Sequence, residues 1–60
     1  MKRTEILKKL REAGVVLVEG KRHTHVLNAN GYRLSIVGRH TEIREDIVRS
    51  IEKQTGVTLR

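Results

Sequence analysis

The apolar side chains of this chain are almost all branched aliphatics, and they come in short runs separated by glycines at 14, 20, 31, 38 and 56. Tyr32 is the one aromatic residue, and there is no proline and no cysteine. A core of Val, Ile and Leu interrupted this often excludes long helices and favours short strands between short helices. Sixty residues allow a single domain over 1–60. A domain of this size buries only about 60% of the surface its unfolded chain exposes. Without cysteine there is neither a disulfide framework nor a thiolate zinc site to compensate.

Ile6, Leu7, Leu10 and Ala13 recur at helical spacing, with Lys8, Lys9, Arg11 and Glu12 on the other side. The spacing predicts a helix over 5–13, with Thr4 as N-cap and Gly14 as its left-handed end. Val15-Val16-Leu17-Val18 reads as a first strand, His23-Thr24-His25-Val26-Leu27 as a second, and 32–37 as a third. Gly20-Lys21-Arg22 makes the first turn and Asn28-Ala29-Asn30-Gly31 the second. A last helix over 44–55 carries the stripe Ile43, Ile47, Val48 and Ile51, acidic residues at its start, Lys53 near its end and Gly56 as its stop. The expected fold is α+β, in the order α-β-β-β-α: a three-stranded antiparallel sheet with two helices on one face, like a double-stranded-RNA-binding domain.

The second hairpin has two candidate registers. A two-residue Asn30-Gly31 turn pairs Leu27 with Leu34 and sets His25 opposite Ile36. A three-residue loop pairs Val26 with Leu34 and Thr24 with Ile36, leaving His23, His25, Arg33 and Ser35 on the wetter face. The second is preferred, because it keeps imidazoles and a guanidinium out of the core.

Thirteen Lys and Arg against seven Asp and Glu give a net charge of +6. A domain this basic attracts polyanions, with nucleic acid first. No apolar run approaches the roughly 20 residues of a membrane span, and the start lacks the apolar segment of a signal peptide, so the expected location is cytoplasmic. The segment Gly20-Lys21-Arg22-His23-Thr24-His25 carries the chemistry: two imidazoles on one strand face, preceded by two cations, with Arg39-His40 after the third strand. RNA brings its own nucleophile, the 2′-hydroxyl. Cleavage then requires a base for that proton, an acid for the leaving 5′-oxygen and cations for the charge on phosphorus. Histidine exchanges protons near neutrality, so no cofactor or metal is called for. Zinc held by His23, His25 and His40 is the weaker reading, because their spacing is not diagnostic and no Cys or oriented carboxylate supports it. Two further classes stay open: a non-catalytic RNA- or DNA-binding module, and a structural protein paired with an acidic partner.

The ordered set of features resembles HicA, the toxin of bacterial HicA–HicB toxin–antitoxin systems. A first helix ends in Gly14, a Val-rich strand follows, and the Gly20 turn leads into His23. Then come a hairpin, Arg39-His40 ahead of Glu42-Ile43, and the closing Ile47-Val48-Arg49-Ser50-Ile51-Glu52-Lys53-Gln54-Thr55-Gly56-Val57. That ending is similar to the family's Leu-Arg-Ser-Ile-Leu-Lys-Gln-Ala-Gly-Ile. The resemblance implies a metal-independent mRNA interferase inhibited by a HicB-like antitoxin. It matches Gly20 to the turn glycine and His23 to the catalytic histidine, with His25 as second candidate; an ungapped match to the commoner family spacing falls on Thr24. Lys21, Arg22, Arg33, Arg39 and His40 are the expected RNA-binding residues.

Overall fold

The two amphipathic stripes form helices and the three apolar runs form strands, in the order α1 (Arg3–Glu12), β1 (Val16–Glu19), β2 (His23–Leu27), β3 (Arg33–Gly38) and α2 (Glu45–Thr55). The computed structural model describes residues 1–60. The strands make an antiparallel sheet in the order β1-β2-β3. Ile6, Leu7 and Leu10 of α1 and Val48 and Ile51 of α2 meet Val26 and Val37 in one core, joined by Ile43 and Leu59. Both helices therefore cover the same face, and the other face of the sheet is open. No helix is long and apolar enough to cross a membrane.

Every element lies within two residues of its expected bounds, but the helix starts differ in mechanism. Thr4 is not the N-cap: α1 begins at Arg3, after Lys2, with no side-chain cap. The start of the chain is instead fixed by pairing with the segment before α2. Arg3 N–H donates to the Thr41 carbonyl at 2.9 Å and Ile43 N–H to the Met1 carbonyl at 2.7 Å. That bridge orients the first turn without a hydroxyl. At the far end Gly56, at φ 75°, ends α2 as the left-handed residue the sequence requires. Ile47 departs from the expected stripe: it is 44% exposed and faces a groove rather than the core.

The preferred hairpin register is corrected. Leu27 pairs with Arg33, as the three-residue loop requires, but a bulge follows, and Val26 then pairs with Ser35, His25 with Ile36 and Thr24 with Val37. One extra residue on β3, Leu34, converts one register into the other and exchanges the faces of the strand beyond it. Ser35 and Val37 thus point into the core, and Ile36 points out. The inward serine is accommodated because its hydroxyl donates to Gln54 Oε1 on α2 at 2.6 Å. The outer face carries His23, His25 and Arg33 as expected, but also Val16, Val18 and Ile36 in place of Ser35.

The last residues close the core. Leu59 is fully buried, its N–H donates to Glu52 at 2.8 Å, and Lys9 Nζ donates to its carbonyl at 2.8 Å. Leu59→Ala should destabilise the domain by about 2–5 kcal/mol, the usual range for a large-to-small change in a core, read as a lower urea midpoint. The same tail gives the fold an acid limit. The Leu59 and Arg60 N–H groups and the Arg60 charge hold the Glu52 carboxyl below its ordinary range. Stability from that carboxylate is present in full above the unfolded glutamate pKa of about 4.3, and is lost as pH falls below it through the lowered folded value. The melting temperature should fall over that window, and less steeply in Glu52→Gln than in the parent.

Candidate functional site

One guanidinium joins the strand ends beside the β1–β2 turn. Arg3 donates its Nε–H to the Gly38 carbonyl at the end of β3 (2.9 Å), and a second N–H to the hydroxyl of Thr24 on β2. Thr24 is fully buried, and its hydroxyl donates in turn to Glu19 at the end of β1. Glu19 also accepts from Arg39 at 2.8 Å, and another Arg39 nitrogen donates to the Gly20 carbonyl at 2.6 Å. The Thr24 hydroxyl and then Arg39 hold the Glu19 carboxyl below its ordinary range, so it is charged at neutral pH and keeps both arginines in place. Thr24 is therefore a structural residue with no open side toward a ligand.

His23 is exposed at the first position of β2, directly after Lys21 and Arg22. Its cross-strand partner is Gly38, which puts no side chain beside it. Two depressions meet at this ring. Arg22, His23, Gly38, Arg39 and His40 line a cleft of about 430 Å³. On its other side, His23 and His40 border an apolar groove of about 550 Å³ floored by Ile36, Ile43 and Ile47. Lys21 and Arg22 take part in no ion pair of the chain, so their charge is available to a ligand. Arg39 borders the cleft but is engaged with Glu19.

His25 has a different setting. It is half-buried on the open face, in register with Val18 on one side and Ile36 on the other. Its ring lies over the backbone of Gly20. Arg33 is not brought to the cleft: it stands at the opposite end of the hairpin, opposite Leu27, roughly 13 Å along β2 at about 3.3 Å per residue. No three of the His, Asp and Glu side chains converge in a way that could hold a metal ion. The expected residues thus divide into a corner formed by Lys21, Arg22, His23, Arg39 and His40, a packed His25 and a distant Arg33. Arg3, Thr24 and Glu19, which fix that corner, were not among the candidates. The one signal for them was the alternation of Thr24 with Val26, which turns the hydroxyl inward, where it needs partners.

The turn glycine has a steric reason. A Cβ on Gly20 would stand 2.7 Å from His25 Nε2 and 3.0 Å from the His23 carbonyl oxygen. That same carbonyl accepts the Gly20 N–H at 2.8 Å, so the turn cannot open without losing the bond. Gly20→Ala should destabilise the domain by about 1–3 kcal/mol, as overpacking does, and shift the His25 imidazole resonances. A urea midpoint equal to the parent's, with His25 signals unmoved, would contradict this reading of the turn. The chain matches no protein-family model, no curated protein and no solved structure.

Proposed function

We propose that the chain is a metal-independent endoribonuclease of the HicA type, the toxin half of a type II toxin–antitoxin pair, with His23 as a proton-transfer group and Lys21 and Arg22 as phosphate ligands. The observation that carries this reading is the position of His23. The ring is exposed at the end of an open sheet face, next to two unpaired cations and at the edge of a cleft. A ribose and its 3′-phosphate require those groups: a proton acceptor for the 2′-hydroxyl and fixed positive charge for the phosphorane. His25 is the less suitable of the two candidates, because its ring is packed against Gly20 between two aliphatic side chains. The partners on this reading are mRNA and a HicB-like antitoxin, with the cytoplasm as the place of action.

Incubation of purified protein with RNA in excess EDTA tests the proposal. Fragments should appear, and His23→Ala should lower the cleavage rate by about 10²–10⁴, the usual contribution of a positioned acid or base, with its circular dichroism unchanged. His25→Ala should retain most of the activity. Intact RNA with a mobility shift points instead to a non-catalytic RNA-binding module on the same corner. Loss of cleavage in His25→Ala with activity kept in His23→Ala transfers the role to His25.

A further inference from the structure

The corner holds a second imidazole, set beside a position that carries no side chain. His23 and Gly38 are direct cross-strand partners. Side chains at such positions have Cβ atoms about 5 Å apart, so a residue with a side chain at 38 would stand against the His23 ring. Glycine leaves that place empty, and His40 turns back toward it: its Cδ2 lies 3.9 Å from where a Gly38 Cβ would be. Gly38 does not have a positive φ, and a Cβ there would meet nothing closer than 3.9 Å, so neither backbone nor space demands glycine; its effect is to leave the place beside His23 open. The imidazoles of His23 and His40 therefore border one gap, shared by the cationic cleft and the apolar groove. Neither ring is taken up by an ion pair with a carboxylate. Arg22 and Arg39 line the cleft at the same place.

We infer that His40 is a second proton-transfer residue, acting across the Gly38 gap from His23 on a single phosphodiester. The inference rests on the ribonuclease reading and deepens it. One imidazole accepts the 2′-hydroxyl proton as O2′ forms its bond to phosphorus. The phosphorus–O5′ bond breaks, and the other imidazole, already protonated, gives its proton to O5′. The products are a 2′,3′-cyclic phosphate and a free 5′-hydroxyl. No water or redox partner is consumed, and the two rings exchange protonation states. A base and an acid on opposite sides of one phosphorus suit an in-line displacement, in which attacking and leaving oxygens lie opposite each other. Arg22 beside the gap offsets the charge that builds on the phosphoryl oxygens.

The test compares the parent, His23→Asn and His40→Asn on two substrates, with folding checked by circular dichroism. One is a short oligoribonucleotide. The other is uridine 3′-(4-nitrophenyl phosphate), whose leaving group departs without a proton. The parent should show a bell-shaped pH–rate profile on RNA. Each variant should lose about 10²–10⁴ in kcat on RNA and one limb of the bell. On the activated ester one variant, the one lacking the acid, should return to within about tenfold of the parent, while the other stays impaired. RNA cleavage by His40→Asn at the parent rate, with His23→Asn inactive, would overturn the inference and leave the ribonuclease reading standing. Loss on both substrates in both variants would give His40 a role in structure only and overturn it as well. No cleavage of either substrate by the parent would end both. A measurement without turnover adds to this: titration of the parent with inorganic phosphate should shift the Cε1–H resonances of His23 and His40 together. A response confined to one ring overturns the shared site.

Discussion

The Arg3 guanidinium is the contact on which the shape of the His23 corner depends. Helices cover only one face of this sheet, so the ends of its short strands have few apolar contacts to hold them, and strand ends fray first. Arg3 reaches from α1 to the last carbonyl of β3 and to the Thr24 hydroxyl on β2, and Thr24 reaches on to Glu19 at the end of β1. The planar fork of arginine suits this, because its donors leave in fixed and different directions. Bonds to a charged donor are worth about 1.5–3 kcal/mol against about 1 for a neutral pair. The buried Thr24 hydroxyl accepts one bond and donates another, so none of its polarity is left unpaired.

The same network divides the basic residues into two sets. Arg3 and Arg39 are bound to Glu19 and to backbone carbonyls and act as framework. Lys21 and Arg22 project from the turn they support and have no acidic partner. A net charge of +6 therefore overstates what this corner offers a polyanion, because Arg3 and Arg39 are already engaged by Glu19. Glu19 is important here because it is acidic: without it, two guanidiniums would face each other across the turn and repel.

Much of the fold was legible because glycine and hydropathy spacing are local signals. Gly14, Gly31 and Gly56 all have positive φ, as turn and helix-end glycines do, and the helical stripes marked both helices to within two residues. The register was not legible, because it turns on the single extra residue Leu34, and the pattern from 33 to 37 fits either face. Ser35 inward and Ile36 outward contradict hydropathy; they follow from Gln54, nineteen positions later, supplying the partner for the serine. Arg3 reads as one more cation at the head of a helix until the chain brings it against Thr24. His23 and the cations before it were visible as candidates from composition and adjacency. His40 was expected in the same groove; that it meets His23 across a position without a side chain was not legible, since that depends on Gly38 being the cross-strand partner.

The open face itself limits how RNA is read on the proposed function. Proteins that hold single strands by their bases stack them on aromatic side chains, each worth about 1–3 kcal/mol per base. Here the face carries Val16, Val18 and Ile36 around His25, and Tyr32 stands in the hairpin loop beyond Leu27, at the opposite end of β2 from His23. No aromatic platform lies near the cationic turn. On the proposed function, recognition at the reacting phosphate would therefore rest on the backbone, through charge and the 2′-hydroxyl, and not on a stacked row of bases. On the same reading, the groove of Ile36, Ile43 and Ile47 beside the His23–His40 gap could discriminate between bases by shape and by excluding water. Aliphatic walls discriminate size better than hydrogen-bonding pattern, so on the proposed function these walls would sort the base next to the scissile bond by bulk, and any donor and acceptor readout would fall to Glu42 and Arg44 in the same groove.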